Sequence, residues 1–216
     1  MNILLLGPPG VGKGTVGKLL AAMLGIPHFS TGERGREELQ KNTAFGKLWQ
    51  KVVVEQNSLI PDEPMVEFVQ EKMNAKEFAK GVVFDAFPRT VGQAELLEKA
   101  SILIDKVFFL NAPDPVILKR LAYRMLCSRC QHAFNELLNP EKKKGVCDLC
   151  AGILFQREED KPENIPKRLH DYQVKTAPLI AYYNSKGILV EVSAVGSPQE
   201  ILEEVRRKID LKKECV

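Results

Sequence analysis

Seven residues constrain this chain more than any others. Gly7-Pro8-Pro9-Gly10-Val11-Gly12-Lys13 reads G-x-x-x-x-G-K and joins an apolar run, Asn2–Leu6, to an amphipathic stretch, Lys13–Leu24. That frame, in that context, specifies a strand, a phosphate-cradling loop and a helix. Glycines let backbone N–H groups point inward at phosphate oxygens without Cβ clashes. The helix that follows adds unpaired N–H groups and its dipole. Lys13 supplies a compact positive charge for the outer phosphates. Gly10, Val11, Gly12, Lys13, Gly14 and Thr15 are therefore the expected triphosphate contacts. The Ser or Thr that usually follows the lysine and touches Mg²⁺ is Gly14 here, with Thr15 one place later. Either Thr15 takes that role, or phosphates and water hold the metal.

The rest of the chain repeats the strand–helix alternation. Strands are expected at Asn2–Leu6, Pro27–Phe29, Val82–Asp85, Lys106–Leu110 and Ile188–Val192. Helices are expected at Lys13–Leu24, Val91–Lys99, Asp114–Met125 and Pro198–Lys208. This order predicts an α/β fold, a doubly wound parallel sheet covered on both faces. Ser30 to about Ile60 reads as helical without a convincing strand, and Ser30-Thr31-Gly32-Glu33 has the capping-box pattern. At 216 residues and 44% hydrophobic, the chain can bury its own core. A net charge of +3 is too mild to imply nucleic-acid binding. No apolar run reaches membrane-spanning length. The apolar start carries no basic leader, so a cytoplasmic protein is expected.

Arginines cluster around the expected carboxyl edge of the sheet, where open parallel sheets bind ligands. Arg36 follows Ser30-Thr31-Gly32, and Arg89 follows Asp85-Ala86-Phe87-Pro88. Arg120 and Arg124 are four apart and would share a helix face. Arg157 follows a cysteine-containing insert, and Arg168 begins the next helix. Guanidinium forks donate two parallel hydrogen bonds to a phosphate. His28, His132 and His170 form no triad pattern. His28, in an apolar turn, reads as structural. Phosphoryl transfer needs no such nucleophile, because its catalysis is mostly positioning and charge neutralisation.

Cys127-Ser-Arg-Cys130 and Cys147-Asp-Leu-Cys150 are two C-x-x-C pairs with residues 131–146 between them. Each pair can place two thiolates on one ion, and together they complete a tetrahedral four-thiolate set. Structural Zn²⁺ is the expected occupant, with iron the alternative. The insert is expected to fold around that metal rather than a hydrophobic core. Glu141–Lys144 reads as a solvated hairpin tip. Cys215 reads as a free thiol.

These motifs resemble the adenylate kinase family, with a zinc-binding lid of the bacterial type. The resemblance rests on Gly7–Thr15, Ser30-Thr31-Gly32, Leu59-Ile60-Pro61-Asp62, Asp85–Thr90, Gln93, Gln156-Arg157 and Thr176–Ile180. It implies a P-loop core (1–29, 61–125 and 162–216), an AMP-binding part (30–60) and a lid (126–161). It implies an enzyme that uses MgATP and AMP to make two ADP. A monomer is expected because nothing in the sequence marks an exposed coiled-coil or β-edge interface, and neither nucleic acid nor membrane is expected as a partner. Thr31, Arg36, Leu59, Ile60, Ala86, Arg89, Gln93, Arg157 and Arg168 match the AMP contacts. Lys13, Arg89, Arg124, Arg157 and Arg168 match the groups that gather phosphate charge. Asp85 resembles the carboxylate orienting hydrated Mg²⁺. Arg120, Phe134 and Gly196 match groups beside ATP.

The chain also departs from the family pattern. Ala86 replaces a Gly, Asn57 stands where Gly is common, and Met125 replaces a second arginine. Glu159-Asp160 replaces Asp-Asp, Asn135 stands where a lid His is common, and Ala194 replaces a Gly near the ATP base. Two other readings remain open. One is a kinase for UMP, CMP or GMP. The other is a zinc-ribbon nucleic-acid module on a P-loop core, supported only by Lys142–Lys144.

Overall fold

The computed structural model describes residues 1–56 and 58–210, so Asn57 and Cys215 lie outside the described residues. Five parallel strands form the central sheet: β1 (Asn2–Leu6), β2 (His28–Ser30), β3 (Val82–Asp85), β4 (Lys106–Asn111) and, late in the chain, Leu189–Ser193. Their spatial order is β2-β3-β1-β4 and then the Leu189–Ser193 strand. Three expected strands are displaced by one residue at an end, because parallel register decides the boundary. Ser30, for example, pairs with Asp85, which carries β2 one place past Phe29.

Strand residues alternate between two cores, as expected of a sheet buried on both faces. Ile3 and Leu5 pack with Val16, Leu20, Ile117, Leu121, Ile201 and Val205. These come from α1 (Lys13–Leu24), α6 (Asp114–Ala122) and α9 (Pro198–Asp210). Leu4 and Leu6 pack with Val66, Val69, Ala94, Leu97, Leu179 and Tyr183. Those come from α4 (Asp62–Met73), α5 (Val91–Lys99) and α8 (Pro178–Ser185). Neighbouring strands β1 and β3 thus send their helices, α1 and α5, to opposite faces. The chain parts at their carboxyl ends and leaves a crevice there.

Most of the segment expected to be helical is so: α2 (Thr31–Gln40), α3 (Ala44–Trp49) and a π-helical turn, Gln50–Glu55, whereas Ser30 belongs to β2 and residues 58–60 are not helical. The capping box does not form. Ser30 precedes α2 without a side-chain cap bond, and Glu33 instead reaches Lys18 of α1 at 2.7 Å. A cross-element ion pair has taken the carboxylate that a local cap would have used. Thr43 does cap α3, accepting from the Gly46 amide at 3.0 Å.

The helix expected at Asp114–Met125 stops at Ala122. Arg124–Cys127 is strand β5, which pairs antiparallel with β6 (Ala133–Asn135) and β7 (Leu154–Phe155). Arg120 and Arg124 therefore share no helix face. Met125 and Leu126 pair with Phe134 and Ala133 across the ladder, and tertiary pairing overrides helix propensity. The small sheet also has a core of its own, with Phe134 and Leu154 buried beside Cys127 and Cys147. The insert is built on apolar packing as well as on its thiols. The Lys142–Lys144 tip is exposed. A helix α7 (Ile165–Asp171) and a π-helical turn, Tyr172–Thr176, lead into α8, and Leu189–Ser193 is β8.

Trp49 is the chain's only tryptophan and is buried against Gly35 of α2. A Cβ on Gly35 would sit 2.2 Å from the indole ring. Gly35→Ala should expel the ring, destabilise the protein by about 1–3 kcal/mol and shift Trp49 emission to the red. Unchanged emission and an unchanged urea midpoint would show that α2 and α3 do not pack this way.

Candidate active site

The crevice opens into a cavity of about 1200 Å³ lined by the carboxyl ends of the sheet strands, by α2 and by the small sheet. Its floor is the loop between β1 and α1. Gly10 adopts φ +83°, and a Cβ there would meet Leu121 Cγ at 2.5 Å, so only glycine fits. α1 begins at Lys13 with no side-chain cap, which leaves its first amides for a ligand. Val11, Gly12, Lys13, Gly14 and Thr15 all line the cavity. Lys13 Nζ folds back onto the carbonyls of Gly7 (2.7 Å) and Pro8 (2.8 Å). Burial of the ammonium, with Arg89, Arg168 and Arg124 nearby, pulls its pKa down to about 7 against the attraction of Asp85.

Gly14 explains the missing Ser or Thr. A Cβ at residue 14 would lie 3.2 Å from Asp85 Oδ2, so the bare backbone lets that carboxylate approach the loop. Burial opposes ionisation of Asp85, but His28, Lys13 and Arg89 outweigh it and hold the carboxyl below its usual range. His28 is therefore more than a packing residue. Its Nε2 is buried, has no hydrogen-bond partner and lies 3.7 Å from Asp85 Oδ2. The β2–β3 register brings the two side chains together, a signal that sequence gives only once the strand order is known.

Arg36, Arg89, Arg124, Arg157 and Arg168 converge on the same cavity. One carboxylate organises two of them. Asp160, fully buried, accepts from Arg124 Nε (2.8 Å), Arg124 Nη2 (2.6 Å) and Arg168 Nη1 (2.5 Å). The others have fewer anions to pair with. Arg36 Nε and Arg157 Nε are buried without a hydrogen-bond partner. Burial and the neighbouring Arg36 and Arg124 pull Arg157 down to about 9, and burial lowers Arg36, Arg89 and Arg168 as well. Guanidiniums stay protonated in proteins, so these shifts record the cost of holding positive charge in a buried place.

Thr31, Leu59, Ala86 and Gln93 line the cavity beside this cage, as does Ile60, although its side chain is buried in the core. Ala86 adopts φ +55°, and its carbonyl accepts from Arg89 Nε at 2.9 Å. Gln93 Oε1 accepts from the Arg89 amide at 2.7 Å. Its donor–acceptor pair is thus half committed within the protein, and the NH₂ remains for a ligand. Arg120 donates to Val11 O (3.0 Å), Ala194 O (2.8 Å) and Gly196 O (3.0 Å), which ties the loop to the turn after β8. Phe134 lines the cavity from within the small sheet, edge-on to His132.

The four thiols Cys127, Cys130, Cys147 and Cys150 lie within 4.8 Å of one another. Cys127 Sγ is 3.3 Å from Cys150 Sγ, and Cys130 Sγ is 3.6 Å from Cys147 Sγ. Disulfides need about 2.05 Å, whereas tetrahedral thiolates about 2.3 Å from one ion stand about 3.8 Å apart. The amides of Arg129 and Cys130 point at Cys127 Sγ at 3.4 and 3.5 Å. Their donation outweighs burial and pulls that thiol down to about 6. The donor set suits a closed metal centre.

The adenylate kinase family model matches residues 5–188. The chain belongs to the adenylate kinase family. It is 42% identical over 203 residues to an adenylate kinase of Caldicellulosiruptor saccharolyticus, covering 92% of this chain and 93% of the relative. It is 39% identical to one of Streptomyces avermitilis (94% of each chain) and 38% identical to one of Methanosarcina mazei (95% and 97%). Asp160 is the organiser of this cage, and its sequence signal is slight: it is the last of three consecutive acids after Arg157, Glu158-Glu159-Asp160.

Lys13 gives the site a proton signature. With its pKa near 7, Lys13 is mostly neutral at pH 8, and an anion in the loop favours the charged form. Saturating sulfate, which does not titrate there, should take up a fraction of a proton approaching about one at pH 8. It should take up almost none at pH 6, and none in Lys13→Met. Calorimetry in buffers of different ionisation enthalpy reads this directly. Equal uptake in Lys13→Met would assign the proton elsewhere.

Proposed function

We propose that the protein transfers the γ-phosphoryl group of MgATP to AMP, giving two ADP. The observation that carries this reading is the pair of anion sockets facing one cavity. One is the amide-and-Lys13 loop, and the other is a guanidinium cage in which two buried N–H groups lack partners. A single triphosphate would fill the first and leave the second with unpaired donors, whereas a monophosphate acceptor supplies the second anion.

The residues suggest how the reaction runs. The loop amides and Lys13 hold the donor's outer phosphates, and Arg120 with the Ala194–Gly196 turn flanks its base. Arg36 and Arg89 hold the acceptor phosphate, while the Gln93 NH₂ meets its base. Arg124, Arg157 and Arg168 gather the charge between them, so that the acceptor oxygen attacks in line. Bound Mg²⁺ would neutralise the donor phosphates, and Asp85 with Thr15 are the residues suited to hold its hydration shell. Zn²⁺ is the ion that best fits four thiolates, and its role there is structural. We read 30–60 and 126–161 as the parts that close over the two nucleotides and exclude water. The remainder is the core. A monomeric protein of a reducing cytoplasm suits the unpaired thiols.

Lys13→Met and Arg89→Ala should each lower turnover by about 10²–10³-fold while leaving the circular dichroism spectrum intact. A coupled assay of ADP formation from ATP and AMP measures this, and near-normal turnover in either variant refutes the reading. A panel with UMP, CMP and GMP should show AMP as the preferred acceptor. Cys147→Ala should lose metal by atomic emission and melt at lower temperature. Full metal content in that variant would rule out the four-thiol centre.

A further inference from the structure

Glu159 and Asp160 are neighbours in sequence and opposites in situation. Asp160 is wholly buried, and its oxygens are taken up by Arg124 and Arg168. It is a fixed part of the fold. Glu159 lines the cavity, and its side chain is 40% exposed. Its closest cation among the described residues is Arg157, whose Nη1 lies 3.7 Å from Oε1, too far for a hydrogen bond. Its charge nevertheless acts on Arg36, Arg89, Arg157 and Arg168 together. The other carboxylates that line the cavity among the described residues are engaged elsewhere: Asp85 stands at the loop beside His28 and Gly14, Glu33 pairs with Lys18 at 2.7 Å, and Asp171 pairs with Lys175 at 3.2 Å. Among the described residues Glu159 is therefore the one cavity carboxylate that sits among the cage arginines without being tied to them.

We propose that Glu159 is the resident counter-anion of the acceptor-phosphate cage. It offsets the guanidiniums while the cage is empty and yields its place when a monophosphate arrives. This inference rests on the acceptor site argued above. A phosphate has three acceptor oxygens and takes charge-assisted forks from Arg36, Arg89 and Arg157. A carboxylate that offers no hydrogen bond at 3.7 Å is a weaker occupant, so the exchange runs in the phosphate's favour. The half-exposed, three-torsion side chain has room to swing out. Its like charge opposes the phosphate both before and after the exchange. Glu159 thus lowers acceptor affinity and keeps the empty cage from repelling itself. The charges that act most on Lys13 in the donor loop are Asp85 and three arginines, so the effect of Glu159 falls mainly on the cage.

Calorimetric titration of the full chain with AMP tests this in wild type, Glu159→Gln, Glu159→Asp and Glu158→Gln. Glu158 carries the same charge one residue away but is exposed and paired with Lys161 at 2.7 Å. Glu159→Gln should bind AMP about fivefold more tightly, the effect of one partly exposed charge pair. Glu159→Asp and Glu158→Gln should stay at the wild-type affinity. Without nucleotide, Glu159→Gln should melt below wild type, and saturating AMP should close that gap. A purely structural role would lower both melting points alike. Unchanged or weaker AMP binding in Glu159→Gln overturns the proposal, as does equal tightening in Glu158→Gln. Wild type that binds AMP beside an unaltered Glu159→Gln leaves the acceptor site standing and removes only the counter-anion. Wild type that takes up no AMP removes both.

Discussion

One buried carboxylate makes the rest of this site possible. Two guanidiniums held about 5 Å apart repel by about 3 kcal/mol at an effective dielectric constant near 20, and six arginines line this cavity. Asp160 absorbs part of that cost by taking Arg124 in a two-pronged contact and Arg168 from the other side. Such a triad adds little net stability, because desolvation offsets most of the attraction. Its value is geometric. It joins β5 of the small sheet to α7 of the core and sets two cations at fixed places before any ligand arrives. Fixed charges reorganise little during reaction, which is why preorganised electrostatics is so large a term in phosphoryl transfer.

The two sockets proposed for anions are built by different means, and the difference follows from where each sits. The donor loop turns at the end of β1, where the backbone at Gly10 is close-packed against Leu121 and a side chain there has no room. Recognition there falls to amides and to one lysine. The acceptor cage draws on α2, the turn after β3, the small sheet and α7, elements that meet only through side chains. Long forked arginines are the groups that span such gaps. The donor socket is therefore local in sequence, and the acceptor socket is assembled from residues 36 to 168.

That contrast also decides what was legible in the sequence. The G-x-x-x-x-G-K frame, the apolar strands and the cysteine pairs are short-range patterns, and each folds as its spacing implies. Arg36, Arg89, Arg157 and Arg168 stand out by their sequence context, the resemblance adds their roles, and the structure gathers them in one cavity. Errors arose where a distant partner overrode a local preference. Helix periodicity runs through Met125, but Ala133 and Phe134 pair with β5 and end the helix. Ser30 and Glu33 have capping-box spacing, but Lys18 takes the glutamate. Gln93 has the right amide for a base edge, but the Arg89 N–H occupies its oxygen. Glycine at residue 14 leaves room for Asp85 beside the loop. His28 reads as structural, and the partner that gives it an electrostatic part, Asp85, lies on another strand.

The thiol centre and the arginine cage are mechanically one unit. β5 carries Arg124 at one end and Cys127 at the other, three residues away on a strand that extends about 3.3 Å per residue. Its antiparallel partner β7 ends at Phe155, two residues before Arg157. Cys127 is pinned to Cys130, Cys147 and Cys150, and the Cys147 amide donates to Gly152 O at 2.8 Å, which fixes the approach to β7. The register of β5 against β7 thus sets how far apart Arg124 and Arg157 stand. A slip of β5 by one residue would turn Arg124 to the other face of the sheet, away from the cavity and from Arg157. Phe134 and Leu154 alone are a small core with which to forbid that slip, since three short strands bury little apolar surface. Four thiolates closed on one ion would forbid it, because a closed tetrahedron tolerates no change in ligand spacing. The thiol centre would then govern the charge geometry of the cavity without lining it.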